Sequence, residues 1–125
     1  MDATFKDCQT HLLVVCEGVW DPIAVTDVLA RIGAETRRLG HRRLLIDWRG
    51  VSMPASDHFR AMAAEDAIRH LGPPLRVGVL VRRTLINKVA ERAAIDGGVD
   101  AWVHHDLDDV LGWLARSPGD PPRPA

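Results

Sequence analysis

The sequence predicts an α/β domain built on a mostly parallel sheet of about five strands, with an antiparallel N-terminal strand and four helices. Short runs rich in valine and leucine alternate with amphipathic segments of helical periodicity, a pattern typical of parallel strands joined by crossover helices. The chain has 125 residues and is 46% hydrophobic, so it can bury one sizeable core without disulfide or metal staples.

The first third of the chain predicts two strands and a helix. Ala3–Cys8 is expected to be an edge strand that pairs antiparallel in the sheet, beside the almost continuously apolar run His11–Glu17. Asp21 is a good N-cap, and the proline after it is favoured at the first helical position. An apolar stripe at helical spacing then predicts a helix over about 22–39, which Gly40 closes.

The rest of the chain predicts three further units of strand and helix. The strands are expected at residues 44–47, 75–81 and 101–104. The residues placed to cap the helices that follow are Ser56, Thr84 and Asp106. Residues 1–116 are predicted to form one domain, and the proline-rich tail 117–125 is predicted to be disordered.

Charge and composition exclude several classes of function. Lysine and arginine number 16 against 17 acidic residues, so the chain lacks the basic footprint of a nucleic-acid-binding domain. No apolar run approaches the roughly 20 residues of a membrane span, and the N-terminus lacks the pattern of a signal peptide, so a cytoplasmic protein is expected.

Cys8 and Cys16 are predicted to be thiols rather than a disulfide. No glycine-rich phosphate loop is present, and no cofactor is expected.

A candidate binding site is predicted at the carboxyl ends of the strands, where open α/β sheets usually hold ligands. The candidate residues there are Trp20, Trp48, Arg49, Ser52, Ser56, His58, Phe59, Arg82 and Arg83. Arg82 and Arg83 also fit a simpler interpretation as solvated loop residues. His104 and His105 are consecutive in a strand and are expected to point to opposite faces, so no metal site is predicted.

Asp47 and Ser56 each have a structural and a functional interpretation. A carboxylate at a strand end can act in catalysis, or it can accept backbone N–H groups from the following turn. Ser56 reads as an N-cap that accepts a backbone N–H, and its replacement by alanine would then cost about 1 kcal/mol. An enzyme that uses Asp47, His58 or His105 is a third hypothesis, but the adjacent Ser56, Asp57 and His58 diverge on a helical turn and do not form a catalytic relay.

The segment LLIDWRGVSMPAS and the order of the elements resemble STAS domains, the fold of the bacterial anti-sigma factor antagonists. In that family a strand ending in Asp or Asn leads through a Gly-Val-Ser turn to Asp-Ser-Ser-Gly, whose first serine is phosphorylated by a kinase that is also an anti-sigma factor. Ile46-Asp47 and Gly50-Val51-Ser52 fit this pattern and place Ser56 at the phosphoacceptor. Ala55, Asp57 and His58 depart from it, and phosphorylation of Ser56 is not expected.

The chain is also similar to the SpoIIAA-like, or STAS/SEC14-like, small bacterial proteins. The acidic turn at Asp106, the Trp113-Leu114 pair and the Val77-Gly78-Val79 strand carry this resemblance. It implies a non-enzymatic module that binds a protein partner, such as an anti-sigma factor or kinase, through the helix after Ser56. The alternative is a carrier of a lipid or other hydrophobic small molecule, with its site near Trp20, Trp48 and Phe59. Exposed sheet edges also make a homodimer an expectation.

Overall fold

The computed structural model describes residues 1–52, 56–86 and 88–116, so the predicted tail lies outside the described residues. The strands are β1 (Asp2–Asp7), β2 (Leu12–Val19), β3 (Arg43–Ser52), β4 (Arg76–Leu80) and β5 (Asp100–His104). The helices are α1 (Pro22–Leu39), α2 (Asp57–His70), α3 (Lys88–Asp96) and α4 (Leu107–Leu114), with a 3-10 turn at Arg83–Leu85. Within this part of the chain, no helix has both the length and the apolar character that crossing a membrane requires.

The five strands form one sheet in the order β1-β2-β3-β4-β5. β1 pairs antiparallel with β2, and every other neighbouring pair is parallel. Each pair of consecutive parallel strands is connected through a helix, which returns the chain to the end of the sheet where the next strand begins. The predicted fold class is therefore confirmed, including the antiparallel strand at the edge.

The sheet separates two hydrophobic cores of different size. The larger core packs α1, α2 and α3 on one face of the sheet, with Val14 and Ile46 among its strand residues and Val25 among its helix residues. The smaller core packs α4 alone on the opposite face, where Val110 and Trp113 meet the sheet. Successive side chains of a strand point to opposite faces of the sheet, so a strand covered on both faces contributes side chains to both cores. This explains the nearly continuous apolar runs in the sequence.

Buried polar groups lie under α4 and are held by aromatic rings. The guanidinium of Arg76 lies 4.0 Å from the centre of the Trp113 ring and 3.9 Å from Asp100. The His104 ring stacks on Trp102 at 4.4 Å, and its Nε2 lies 3.0 Å from a carboxylate oxygen of Asp109. These contacts fix α4 against the sheet and indicate a structural role for this face.

Two element boundaries differ from the prediction by more than two residues. β3 continues past residue 47 to Ser52, because β2 pairs with it again beyond an irregularity, as in the pair Glu17 and Gly50. Trp48 and Arg49 consequently lie inside the strand and not in a turn after it. The prediction that Thr84 caps the third helix is wrong: Thr84 lies in the 3-10 turn, and the extended backbone of Ile86 separates that turn from α3.

The predicted helix caps hold at two of the remaining positions. The Asp21 carboxylate accepts the backbone N–H of Ile23 at 3.1 Å, and the Asp106 carboxylate accepts that of Asp109 at 3.0 Å. Ser56 occupies the N-cap position of α2 with extended backbone, but its hydroxyl makes no capping hydrogen bond. The expected hydrogen bond of Ser56 is therefore wrong, although its position is right.

The two cysteines are free thiols, as predicted. Cys16 is buried in the larger core, while Cys8 is half-buried. Burial raises the pKa of the Cys16 thiol to about 12, with the nearby Asp47 carboxylate contributing further. Cys16 is therefore a packing residue that stays protonated at neutral pH.

Candidate functional site

An apolar cavity of about 130 Å³ lies between the sheet and helices α1, α2 and α3. Its sheet side includes Ile46, Val79 and Val103. Its helix side is lined mainly by alanines of α2 and α3: Ala63, Ala64, Ala67, Ala90 and Ala94. Methyl side chains do not reach across the layer between helix and sheet, and the space they leave is the cavity.

Two tryptophans form one end of the cavity. The rings of Trp20 and Trp48 meet edge to face, with their centres 6.0 Å apart. Trp48 is buried in β3, and the backbone N–H of Trp20 donates to the carbonyl oxygen of Ser52 at 3.2 Å. This bond holds the residue after β2 against the end of β3 and positions the Trp20 ring. The indole Nε1 of Trp20 is buried and has no hydrogen-bond acceptor among the described residues.

A small hollow lies beside Trp20, close in the chain to two exposed aliphatic side chains. The hollow, of about 10 Å³, is lined by Trp20, Phe59 and Met62 among others. Next to it in the chain, Val19 is 72% exposed and Ile23 is 74% exposed. We call these five residues the apolar rim. Two large aliphatic side chains so fully exposed within five residues of the chain make this surface a candidate for contact with another molecule.

The charged residues of the cavity lining are already paired. The Nη1 of Arg60 donates to Asp57 at 3.2 Å. The Glu91 carboxylate accepts the backbone N–H of Val103 at 2.6 Å and the Nζ of Lys88 at 3.1 Å. Lys88 Nζ also donates to the carbonyl oxygen of Val103 at 2.9 Å, so the two side chains satisfy both backbone groups of Val103 at the outer edge of β5. Sequence reasoning missed Arg60 and Glu91, since each looks like an ordinary charged residue on an exposed helix face.

Asp47 and Arg49 lie away from the cavity, because they alternate with Ile46 and Trp48 along β3. The carboxylate of Asp47 accepts Arg49 Nε at 2.9 Å, Arg49 Nη2 at 2.8 Å and the Arg49 backbone N–H at 3.1 Å. The side-chain hydrogen bonds from Arg49 hold the pKa of Asp47 below its usual range, despite partial burial. This geometry matches the structural interpretation of Asp47, as an acceptor for the residues that follow it.

The other predicted site residues are distributed over the same end of the sheet. Ser52 is exposed and Ser56 is half-buried, at the two ends of the segment that leads into α2. His58 is exposed, with its ring 5.7 Å from that of Phe59. Arg82 and Arg83 are exposed after β4, which agrees with their interpretation as solvated loop residues. Trp20, Trp48 and Phe59 therefore share one region, whereas Arg49 lies on the opposite face; the role of all these residues in binding stays a prediction.

The histidine pair differs from the expectation in its geometry. The rings of His104 and His105 lie 4.4 Å apart and do not point to opposite faces. β5 ends at His104, so His105 no longer follows the alternation of the strand. Among residues 1–52, 56–86 and 88–116, no group of three or more histidine, cysteine or acidic side chains is arranged to hold a metal ion.

Comparison with known proteins identifies the fold. No family model and no curated protein matches the chain. Among solved structures, the chain is similar to an anti-sigma factor antagonist from Mycobacterium paratuberculosis, at 21% sequence identity and a TM-score of 0.61. The match covers 92% of this chain and 94% of that one. The chain therefore has the STAS fold of that anti-sigma factor antagonist, as its resemblance to the family predicted.

Proposed function

We propose that this protein is a non-enzymatic regulatory module that acts by binding a protein partner, in the manner of an anti-sigma factor antagonist. The observation that carries the proposal is the fold, which matches such an antagonist over nearly the whole length of both chains. The partner is then an anti-sigma factor or a kinase of that type. A fold alone does not determine function, so the proposal also requires a surface that can bind a partner.

The apolar rim and the start of α2 form the proposed interaction surface. Val19 and Ile23 expose most of their side chains to solvent, and burying them against a partner would stabilise a complex by the hydrophobic effect. Ser56 and His58 border this surface at the first turn of α2. The proposed partner therefore presents apolar side chains to the rim, with polar groups facing the start of α2.

The positions of the candidate catalytic residues favour a binding function over an enzyme. Asp47 is engaged by Arg49 on one face of the sheet. His58 lies on the first turn of α2, and His105 follows β5 beside His104. General acid–base catalysis needs such groups within hydrogen-bond reach of one reacting centre, and these three lie on different elements with different partners.

Binding to purified anti-sigma factors of the same genome tests the proposal. Isothermal titration calorimetry would measure the affinity of each for the wild type, for Ile23→Asp and for Leu107→Asp. Both positions lie in the first turn of a helix and are exposed, Leu107 at 39%, and an acidic residue suits the helix dipole at either. Leu107 lies on α4, on the opposite face of the sheet from the rim, which makes it the matched control.

We expect one of these proteins to bind the wild type, Ile23→Asp to weaken that binding at least tenfold, and Leu107→Asp to leave it unchanged. If the two substitutions changed the affinity equally, the interface would lie elsewhere and the proposed interaction surface would be wrong. If no anti-sigma factor of the genome bound the wild type, the proposed function itself would be wrong. An unchanged affinity of the Ser56→Asp variant would indicate that partner binding does not depend on phosphorylation of Ser56.

A second candidate function is that of a carrier or sensor for a hydrophobic small molecule. The apolar cavity beside Trp20 and Trp48 is the observation that favours it. Native mass spectrometry on protein purified gently from its own host would test this function. An additional small mass that is lost on denaturation would support it, and a spectrum showing only the bare chain would count against it.

A further inference from the structure

We infer that the cavity between the sheet and α1–α3 binds a neutral, ring-sized apolar molecule that carries one hydrogen-bond acceptor. The inference rests on the second candidate function and specifies its ligand class. It does not depend on the protein partner. Three features of the cavity carry it: its volume, the chemistry of its lining, and the buried indole N–H of Trp20.

The volume selects a ring over a long acyl chain. The cavity holds about 130 Å³. An apolar protein cavity of roughly 150 Å³ accommodates a benzene molecule, so this space suits one ring with a small substituent. A long acyl chain has about twice as many carbon atoms or more, so most of its apolar surface would stay in water outside this space. The size therefore argues for a small cyclic compound and against the lipid that the STAS/SEC14-like resemblance implied.

The lining selects a neutral molecule. Aliphatic and aromatic side chains form most of the walls, and they offer dispersion contacts to an apolar ring. The two charged residues in the lining, Arg60 and Glu91, are each engaged by an opposite charge. A charged ligand would lose its hydration on entering the cavity, and it could regain a partner for its charge only by breaking one of these ion pairs. A neutral ligand leaves both ion pairs intact.

Trp20 supplies the polar contact. Its indole N–H is buried on a side chain that lines the cavity, and it finds no acceptor among the described residues. Buried side-chain donors nearly always have a partner, so a bound carbonyl or ether oxygen that this N–H meets after a rotation of the Trp20 ring would complete the site. The neighbouring Trp48 ring packs edge to face on Trp20 and restricts the orientation of that N–H.

The indole N–H signals in ¹H–¹⁵N spectra offer a direct readout. The chain has four tryptophans; Trp20 and Trp48 line the cavity, whereas Trp102 and Trp113 lie in the smaller core under α4. We would titrate acetophenone, ethylbenzene, benzoate and palmitate into the wild-type protein. Acetophenone is a neutral ring with a hydrogen-bond acceptor, and ethylbenzene is a neutral ring without one. Benzoate is a charged ring, and palmitate is a long acyl chain.

We expect acetophenone to shift the Trp20 and Trp48 signals saturably and to leave those of Trp102 and Trp113 in place. Ethylbenzene should bind several-fold more weakly, and benzoate and palmitate should cause no shift. Ala90→Leu fills the cavity from α3 and should abolish the acetophenone shifts. Ala67→Leu fills it from α2 and provides a second test if the first variant does not fold. Ala34→Leu makes the same change at an exposed position of α1 and should leave binding unchanged.

Several outcomes would overturn the inference. One is a set of acetophenone shifts that persists in folded Ala90→Leu and Ala67→Leu. Another is equal binding of acetophenone and ethylbenzene, which would remove the role of the Trp20 donor. Saturable binding of palmitate would refute the ligand class while preserving the carrier function. If none of the four probes bound and native mass spectrometry also showed the bare chain, both the inference and the carrier function would be wrong, with the protein-binding function untouched.

Discussion

Replacing Gly33 by alanine is expected to destabilise the protein, although the same substitution stabilises most helix interiors. Gly33 lies within α1, where an added Cβ would stand 2.5 Å from the carbonyl oxygen of His70 at the end of α2. Real Cβ atoms do not approach so closely, and the obstacle is backbone, so the two helices would have to separate. The guanidinium of Arg37 also donates to this carbonyl oxygen at 3.0 Å, and that hydrogen bond would be strained by the separation.

The magnitude follows from three opposing contributions. Alanine gains about 1 kcal/mol over glycine from helix propensity. Overpacking typically costs about 1–3 kcal/mol, and the hydrogen bond of Arg37 contributes about 1 kcal/mol. The net free energy of unfolding should fall by about 2 kcal/mol. At about 4 °C per kcal/mol for a chain of this size, the Tm should fall by about 8 °C.

Gly112 provides the matched control, since it also lies inside a helix but nothing stands within 4 Å of its added Cβ. Gly112→Ala should raise the free energy of unfolding by about 1 kcal/mol and the Tm by about 4 °C. Urea unfolding followed by circular dichroism would measure both variants. If Gly33→Ala were as stable as wild type or more so, the close approach of α1 to α2 at Gly33 would be refuted.

Three further predictions concern caps, thiols and acid stability. Ser56→Ala should change the free energy of unfolding by no more than a few tenths of a kcal/mol, because the Ser56 hydroxyl makes no capping hydrogen bond. Asp106→Ala should lower it by about 1 kcal/mol, because the Asp106 carboxylate does make one. Urea unfolding would measure both variants. Cys8 should react with a thiol reagent at pH 8 much faster than Cys16, whose buried thiol has its pKa raised to about 12; equal rates would contradict this burial. Because the pKa of Asp47 is depressed in the folded state, its stabilising contribution is present above about pH 4 and is lost as the pH falls through the folded-state pKa. The Tm of Asp47→Asn should therefore fall less steeply than that of wild type on acidification below pH 4, and parallel curves would refute the assignment.

Local signals made α1 the most predictable element. Its N-cap at Asp21, its first-turn proline and its left-handed Gly40 are all encoded within the helix and its flanks, and the predicted bounds match the observed ones. The α4 cap at Asp106 was predictable for the same reason. The alternation of strands and helices likewise predicted a mostly parallel sheet, since parallel neighbours need crossover connections, but it left the order β1-β2-β3-β4-β5 open.

Features that depend on distant residues were not predictable. The extension of β3 to Ser52 requires pairing with β2 beyond a bulge, and no residue near Gly50 signals it. The hydroxyl of Ser56 looks like a cap in sequence, but side-chain geometry decides whether the hydrogen bond forms. The cavity arises from alanines of α2 and α3 that face the same part of the sheet, and a single helix pattern does not show that they converge.

The two faces of the sheet differ in the side chains they carry, and Trp20 lies where the two proposed functions would meet. Under α4, the polar groups of Arg76 and His104 are held by aromatic rings and carboxylates, as expected of a structural core. On the other face, Trp20 lines both the cavity and the hollow beneath the apolar rim. Under the two proposals, a ligand that repositions this ring would change the surface offered to a partner. Because coupling free energies are reciprocal, the partner would then change the affinity for the ligand by the same factor, so that the carrier and regulatory functions become two parts of one ligand-dependent switch.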